Sequence, residues 1–157
     1  MGHLMKDPKN RNWILWGGRV LFCLYMACLI YFLFFSERYG RTLSNREYHY
    51  NLELFKEIKR FWTYRKTLGL ETVIVNLAGN IGVFIPVGLA VPLLYARYRS
   101  FFQVALLSFE ISLAAELIQL MAKVGTFDVD DLLLNTVGGC IGYAIFAWCR
   151  RMWRNRT

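Results

Sequence analysis

A chain of 157 residues has room for one domain. With 56% of residues drawn from AVILMFWYC and only 19% charged, against roughly 25% in soluble domains, the composition argues against an ordinary soluble enzyme. A net charge of +8 would suggest nucleic acid as a partner, but Lys6, Lys9, Arg11, Arg97, Arg99 and the arginines at 150, 151, 154 and 156 flank apolar runs. That placement anchors and orients membrane spans, so no nucleic-acid partner is expected.

The runs lie at about 14–35, 72–95, 101–122 and 129–149, each close to the ~20 residues that cross ~30 Å of hydrocarbon. The predicted fold is therefore all-α: an integral membrane bundle of four transmembrane helices, with small parts outside the bilayer. Residues 1–13 form a polar, basic segment placed in the cytoplasm. The run 14–35 is too long for the apolar region of a signal peptide, about 7–15 residues, and no small-x-small cleavage site follows it. Met26-Ala27-Cys28 resembles a lipoprotein signal only faintly, with Tyr25 where an aliphatic residue is wanted, and the apolar run continues past it as LIYFLFF. The run is read as a retained helix, with Arg19 reaching from its first turns to the interface.

Residues 36–70 are the largest polar stretch. After the loop SERYGRTLSN, Tyr48, Leu52, Phe55, Ile58 and Trp62 recur at steps of three and four, the period of an amphipathic helix. Its other face carries Glu53, Lys56, Glu57, Lys59 and Arg60. Between two spans such a helix is expected to lie in the membrane interface, with Phe61, Trp62 and Tyr64 at headgroup level and Gly69 as its stop.

The core, 71–149, holds the other three runs. Pro86 removes a backbone donor and frees the Gly82 carbonyl, predicting a kink near 82–86. Ala78, Gly79 and Gly82 form a small-residue face suited to close helix contact, as do Gly138 and Gly142 in GxxxG spacing. The four cysteines, Cys23, Cys28, Cys140 and Cys149, all fall in apolar runs without CxxC spacing and read as small apolar filler. His3 and His49 are isolated, and no metal or cofactor motif is present.

Each core run keeps polar residues near one end: Asn76 and Asn80, Glu116 and Gln119, Asp131 and Asn135. Spans joined by short links alternate direction, so these six residues are expected at similar depth near one face of the membrane. Each pair is spaced i,i+3 or i,i+4 and so shares one helix face. With Asp128 they make the candidate binding set, and Glu116 and Asp131 are the candidate acid/base residues. The competing structural reading is interhelical hydrogen-bond glue, worth about 0.6 kcal/mol per residue, with Asp128 or Asp131 capping the fourth helix. Glu110, in mid-span, is expected to pair with Arg19 or to remain protonated.

Placing the N-terminus inside puts nine Lys/Arg on each side of the membrane, leaving Arg19 out of the count. The residues closest to the span ends decide: Arg97 and Arg99 lie in a short link and four arginines lie in the tail 150–157, whereas the opposite link carries Asp128, Asp130 and Asp131. Both termini are therefore placed inside and the polar set outside.

The fragments NLAGNIGVFIPVGLAVPLL, AELIQL and GTFDVDDLLLNTVGGCIGY, in this order, resemble the VanZ-like family of bacterial membrane proteins. The family pattern is an Asn before F-x-P-x-G, then Glu-x-x-Gln, then an aspartate-rich turn leading to Asn-Thr-x-Gly-Gly. Here it falls on Asn76 or Asn80 with Phe84-Pro86-Gly88, on Glu116 and Gln119, on Asp128, Asp130 and Asp131, and on Asn135, Gly138 and Gly139. The likeness covers about residues 46–143. YNLELFKEI is similar to the family's Asn-Leu-x-Pro-Phe, with Leu54 in place of the proline. An arginine common before the aspartate turn is replaced by Gly125-Thr126.

The resemblance implies a multi-pass protein of the bacterial cytoplasmic membrane. The family's founding member is associated with resistance to teicoplanin, a lipid-tailed glycopeptide that acts at the outer face of the membrane. Three functions fit. The first is binding or exclusion of an amphiphile at the outer leaflet, a lipoglycopeptide such as teicoplanin or an envelope lipid. The second is an intramembrane enzyme acting on a lipid-linked envelope substrate, with Glu116 and Asp131 as acid and base or as oxygen ligands to a divalent cation. The third is a small transporter, which with four spans would need oligomerisation. Membrane lipid is the expected partner; residue spacing leaves the oligomeric state open.

Overall fold

The computed structural model describes residues 8–35, 49–123 and 125–155. In chain order the elements are α1 (Pro8–Phe35), β1 (His49–Asn51), α2 (Lys56–Thr63), α3 (Arg65–Leu68), α4 (Leu70–Leu94), α5 (Phe101–Ala122), β2 (Thr126–Asp128) and α6 (Val129–Arg154), with a single 3₁₀ turn at Ala96–Tyr98 between α4 and α5. Helices α1, α4, α5 and α6 are each long and apolar enough to cross a membrane. The protein is an all-α, multi-pass membrane bundle. Leu21, Leu93, Leu106, Ile118 and Trp148 are among the many large apolar side chains left exposed, a surface suited to acyl chains and not to water.

Backbone proximity holds the centre together. A Cβ on Gly138 would strike the Ile81 carbonyl, one on Gly142 the Ile85 carbonyl, and one on Gly88 the Gly139 carbonyl. Helices α4 and α6 therefore run parallel with their backbones in contact, and the GxxxG spacing of α6 marks that seam. Helix α5 runs antiparallel beside them. Gly139 meets the Ser108 hydroxyl, and Asn135 Nδ2 donates to Ser112 Oγ at 2.8 Å. Phe84, Val87 and Val91 of α4 form the buried core, covered by Phe22, Tyr25 and Met26 of α1 and by Leu107 and Ile111 of α5. Tyr25 OH donates to the Val83 carbonyl, joining α1 to α4.

Several expectations are corrected. The small-residue face at Ala78, Gly79 and Gly82 is not a helix contact: Ala78 is exposed, and a Cβ on Gly79 or Gly82 would meet nothing. On α4 the close approach is made instead by the Ile81 and Ile85 carbonyls and by Gly88. Pro86 and Pro92 lie within the one helix α4, which extends to Leu94, a continuity compatible with the kink expected near 82–86. Arg19 does not pair with Glu110. Its guanidinium lies over the rings of Trp16 and Tyr95, 5.6 and 5.5 Å from their centroids.

The amphipathic helix is shorter than its apolar period suggests. Tyr48, the first residue of that period, lies outside the described residues, and the helix begins only at Lys56. Before it, His49–Asn51 pairs in parallel with Thr126–Asp128, in the register His49 with Thr126, Tyr50 with Phe127 and Asn51 with Asp128. Pairing commits these residues to extended backbone. Phe55 then adopts φ 65, a left-handed conformation that breaks the chain direction before α2 begins. At the other end α2 stops at Thr63, short of the Gly69 stop expected, and Gly69 at φ 83 instead separates the short α3 from α4.

Candidate functional site

Helix α2, the start of α4 and the start of α6 enclose a cavity of about 250 Å3. Glu57, Ile58, Arg60 and Phe61 line it from α2. Val75, Asn76, Gly79, Asn80 and Val83 line it from α4, at steps that keep them on one helical face. Asp128, Asp130, Asp131 and Leu134 complete it. Gly79, which presses on no neighbour, opens into this space. The lining combines acids, amides and one arginine with apolar side chains on the α4 and α6 walls.

Asn80 Nδ2 donates to Asp131 Oδ1 and joins the α4 and α6 walls. Glu57 and Arg60 pair at 2.9 Å along α2. Asp130 is 1% exposed, and its carboxylate accepts three backbone N–H groups from the start of α2. Oδ1 takes that of Phe55 at 2.5 Å, and Oδ2 takes those of Glu57 at 2.9 Å and Ile58 at 3.2 Å. The first N–H groups of a helix have no partner within it, and they carry the positive end of its dipole. Asp130 therefore caps α2 from a distant part of the chain and fixes it over the cavity.

Asp128 holds the same corner. Its Oδ1 accepts from Asp130 N at 2.8 Å, capping α6, and from Asn51 Nδ2 at 3.1 Å, reinforcing the strand pair. Its own N–H donates to Glu116 Oε2 at 3.1 Å. Burial pushes the Asp128 carboxyl above the usual range; the Asp130 N–H and the Asn51 amide pull it back, the Asp130 charge raises it, and Arg60 lowers it. The Glu57 carboxyl is also raised, first by burial, with Arg60 opposing and the Asp128 and Asp130 charges adding to the rise.

The seven candidate binding residues thus fall into two groups. Asn76, Asn80, Asp128 and Asp131 line the cavity. Glu116, Gln119 and Asn135 are buried behind it between α5 and α6 and do not line it. Of the two candidate acid/base residues, only Asp131 faces the cavity. Four lining or supporting residues, Asn51, Glu57, Arg60 and Asp130, were not picked out as site residues. Asn51 stood in the quoted YNLELF segment and Asp130 in the aspartate turn, but nothing in residue spacing told which side chain would cross to the other segment. Among the described residues, no three or more His, Cys, Asp or Glu side chains are grouped to hold a metal ion.

Comparison with known proteins adds an independent observation. The family described as VanZ/LLP1 matches residues 22–150 of this chain. Protein VanZ of Enterococcus faecium is 29% identical over 134 residues, an alignment that covers 82% of this chain and 73% of that protein. No solved structure matches.

Proposed function

The chain belongs to the VanZ/LLP1 family, and from that membership we propose that it binds an amphiphile at the outer leaflet, a lipoglycopeptide such as teicoplanin or an envelope lipid, and keeps it from its site of action. The observation that supports this reading is the cavity at the shared end of α4 and α6, roofed by the amphipathic helix α2. Its polar lining suits a headgroup, and Val75, Val83, Leu134 and Phe61 suit the adjoining hydrocarbon. A volume of about 250 Å3 lies below the ~300–1,000 Å3 that encloses a whole drug-sized ligand. The cavity therefore takes one polar portion of the amphiphile while the tail remains in lipid.

Expression in a sensitive bacterial host is expected to raise tolerance to teicoplanin more than to vancomycin, which lacks the lipid tail. An equal shift, or none, overturns the proposal. Gly79→Leu is the informative variant: a Cβ there meets nothing within 4 Å and the position lines the cavity, so the protein is expected to keep its abundance and lose the protection. The enzymatic alternative needs Glu116 and Asp131 to act together. Glu116 lies outside the cavity lining with Oε2 engaged by the Asp128 N–H, so no observation favours that reading.

A further inference from the structure

Helices α2 and α3 present two unlike sides. Glu57, Ile58 and Phe61 are half-buried and line the cavity, whereas Lys59, Trp62, Tyr64 and Lys66 are exposed and do not line it. Helix α2 cannot turn to bury them, because Asp130 holds the N–H groups at its start. Across the cavity it faces Asn76, Asn80 and Val83 of α4, whose apolar span begins at Val73. Clamped there, α2 lies where hydrocarbon gives way to headgroups, the depth at which Trp and Tyr collect.

The charges on this segment do not cancel. Residues 53–71 hold five Lys/Arg and three Glu. Lys56 pairs with Glu53 at 3.9 Å and Arg60 with Glu57 at 2.9 Å. Glu71 lies in the first turn of α4, where a negative charge offsets the helix dipole. Lys59, Arg65 and Lys66 are left, and among the described residues none of these three makes an ion pair. Arg65 is also held in place. Its guanidinium lies 4.8 Å from the centroid of the Trp62 ring, and Nη1 donates to the Trp62 carbonyl at 2.7 Å. A guanidinium has five donors, and this carbonyl takes one. A planar donor group fixed in this way suits a phosphate.

We infer that the exposed side of α2 and α3 binds the headgroups of anionic phospholipids in the leaflet where it lies. Charge and layering select this partner. Three uncompensated cations stand beside Trp62 and Tyr64, and Leu52, Leu54 and Leu70 on either side in the chain are exposed as well. Phosphate over hydrocarbon matches that combination, whereas an acidic protein face would match the cations alone. Each cation near an anionic surface is worth about fivefold in association, less as salt screens it. This surface is separate from the cavity, so it depends neither on the ligand proposed there nor on the direction of insertion.

The test uses the full chain with Trp13, Trp16, Trp148 and Trp153 replaced by Phe, which leaves Trp62 as the one fluorescent indole. It is reconstituted in phosphatidylcholine vesicles containing either brominated phosphatidylglycerol or brominated phosphatidylcholine at matched mole fractions. Bromine quenches a neighbouring indole, so the two quenching curves give the relative association of each lipid at Trp62. Phosphatidylglycerol is expected to be favoured about tenfold at low salt, and less in 0.5 M NaCl. Lys59→Gln with Lys66→Gln, both at exposed positions, should lower that preference at least threefold at unchanged abundance. Lys59→Arg with Lys66→Arg should keep it. Equal quenching by the two lipids overturns the inference and would point to an acidic protein face as the occupant. A preference indifferent to the Gln pair, or lost in the Arg pair, overturns it as well.

Discussion

A carboxylate in a polar cavity invites reading as a ligand or catalyst, but at Asp130 each oxygen is already directed at backbone donors of α2. Hydrogen bonds to a charged group contribute about 1.5–3 kcal/mol each, and buried N–H groups left without an acceptor incur a further penalty. Asp130 is therefore a joint that sets where Glu57 and Arg60 stand. Asp130→Ala is expected to cost on the order of 3 kcal/mol in the docking of α2, with Asp130→Asn intermediate because the amide keeps one acceptor and places a donor against a donor. Amide hydrogen exchange reads this directly: protection at residues 55, 57 and 58 should fall while the amides of α4 and α6 stay protected. Unchanged protection at those three amides would show that α2 is held by other contacts. The aspartate turn was legible as polar and one-sided. Three acids within four residues, at 128, 130 and 131, do not reveal which one crosses to another segment, and here their tasks differ: Asp128 caps its own helix, Asp130 caps another, and Asp131 meets Asn80.

At the scale of elements, the α4–α6 seam carries the site because it sets the relative depth of Asn80 and Asp131. Small residues in a span mark room, and room serves two ends. On α6 it admits the backbone of α4, at Gly138 and Gly142; on α4 it opens the cavity, at Gly79. Spacing alone does not separate these uses, which is why the GxxxG contact could be read in advance and the emptiness around Gly79 and Gly82 could not. The same limit applies to α2. A three-and-four apolar period over 48–62 was present, but the strand pairing of His49–Asn51 with residues far along the chain outweighed it. The two glycine environments predict opposite outcomes for similar changes. Gly138→Val drives a side chain into the Ile81 carbonyl and should destabilise the bundle by about 1–3 kcal/mol or more, seen as loss of the monodisperse species on heating in detergent. Gly82→Ala should leave that melting temperature unchanged or slightly raised, since its Cβ meets nothing and alanine favours the helix. Equal losses from both would mean that the seam does not run through Gly138.

For the molecule as a whole, four spans place both termini on one side of the membrane, and the cavity lies at the far ends of α4 and α6 from the C-terminal arginines. Everything proposed about an outer-leaflet ligand depends on which side that is. Four apolar runs with polar tips could be read from the chain, but the direction of insertion rests on a small charge difference. Lys and Arg divide nine against nine, and only their closeness to the span ends, with the acids at 128, 130 and 131 on the other side, breaks the tie. Local charge dominates because a residue near a span end must itself be carried across or held back, whereas a distant one follows the segment it belongs to. On this argument the loop bearing α2 is expected outside. In a chain without its native cysteines, Lys66→Cys, on the exposed face of α3, should react with a membrane-impermeant maleimide in intact cells. Met152→Cys, near the end of α6, should react only after permeabilisation. The reverse pattern would turn the cavity toward the cytoplasm, where an extracellular glycopeptide has no access, and the ligand would then have to be sought among lipids of the inner leaflet.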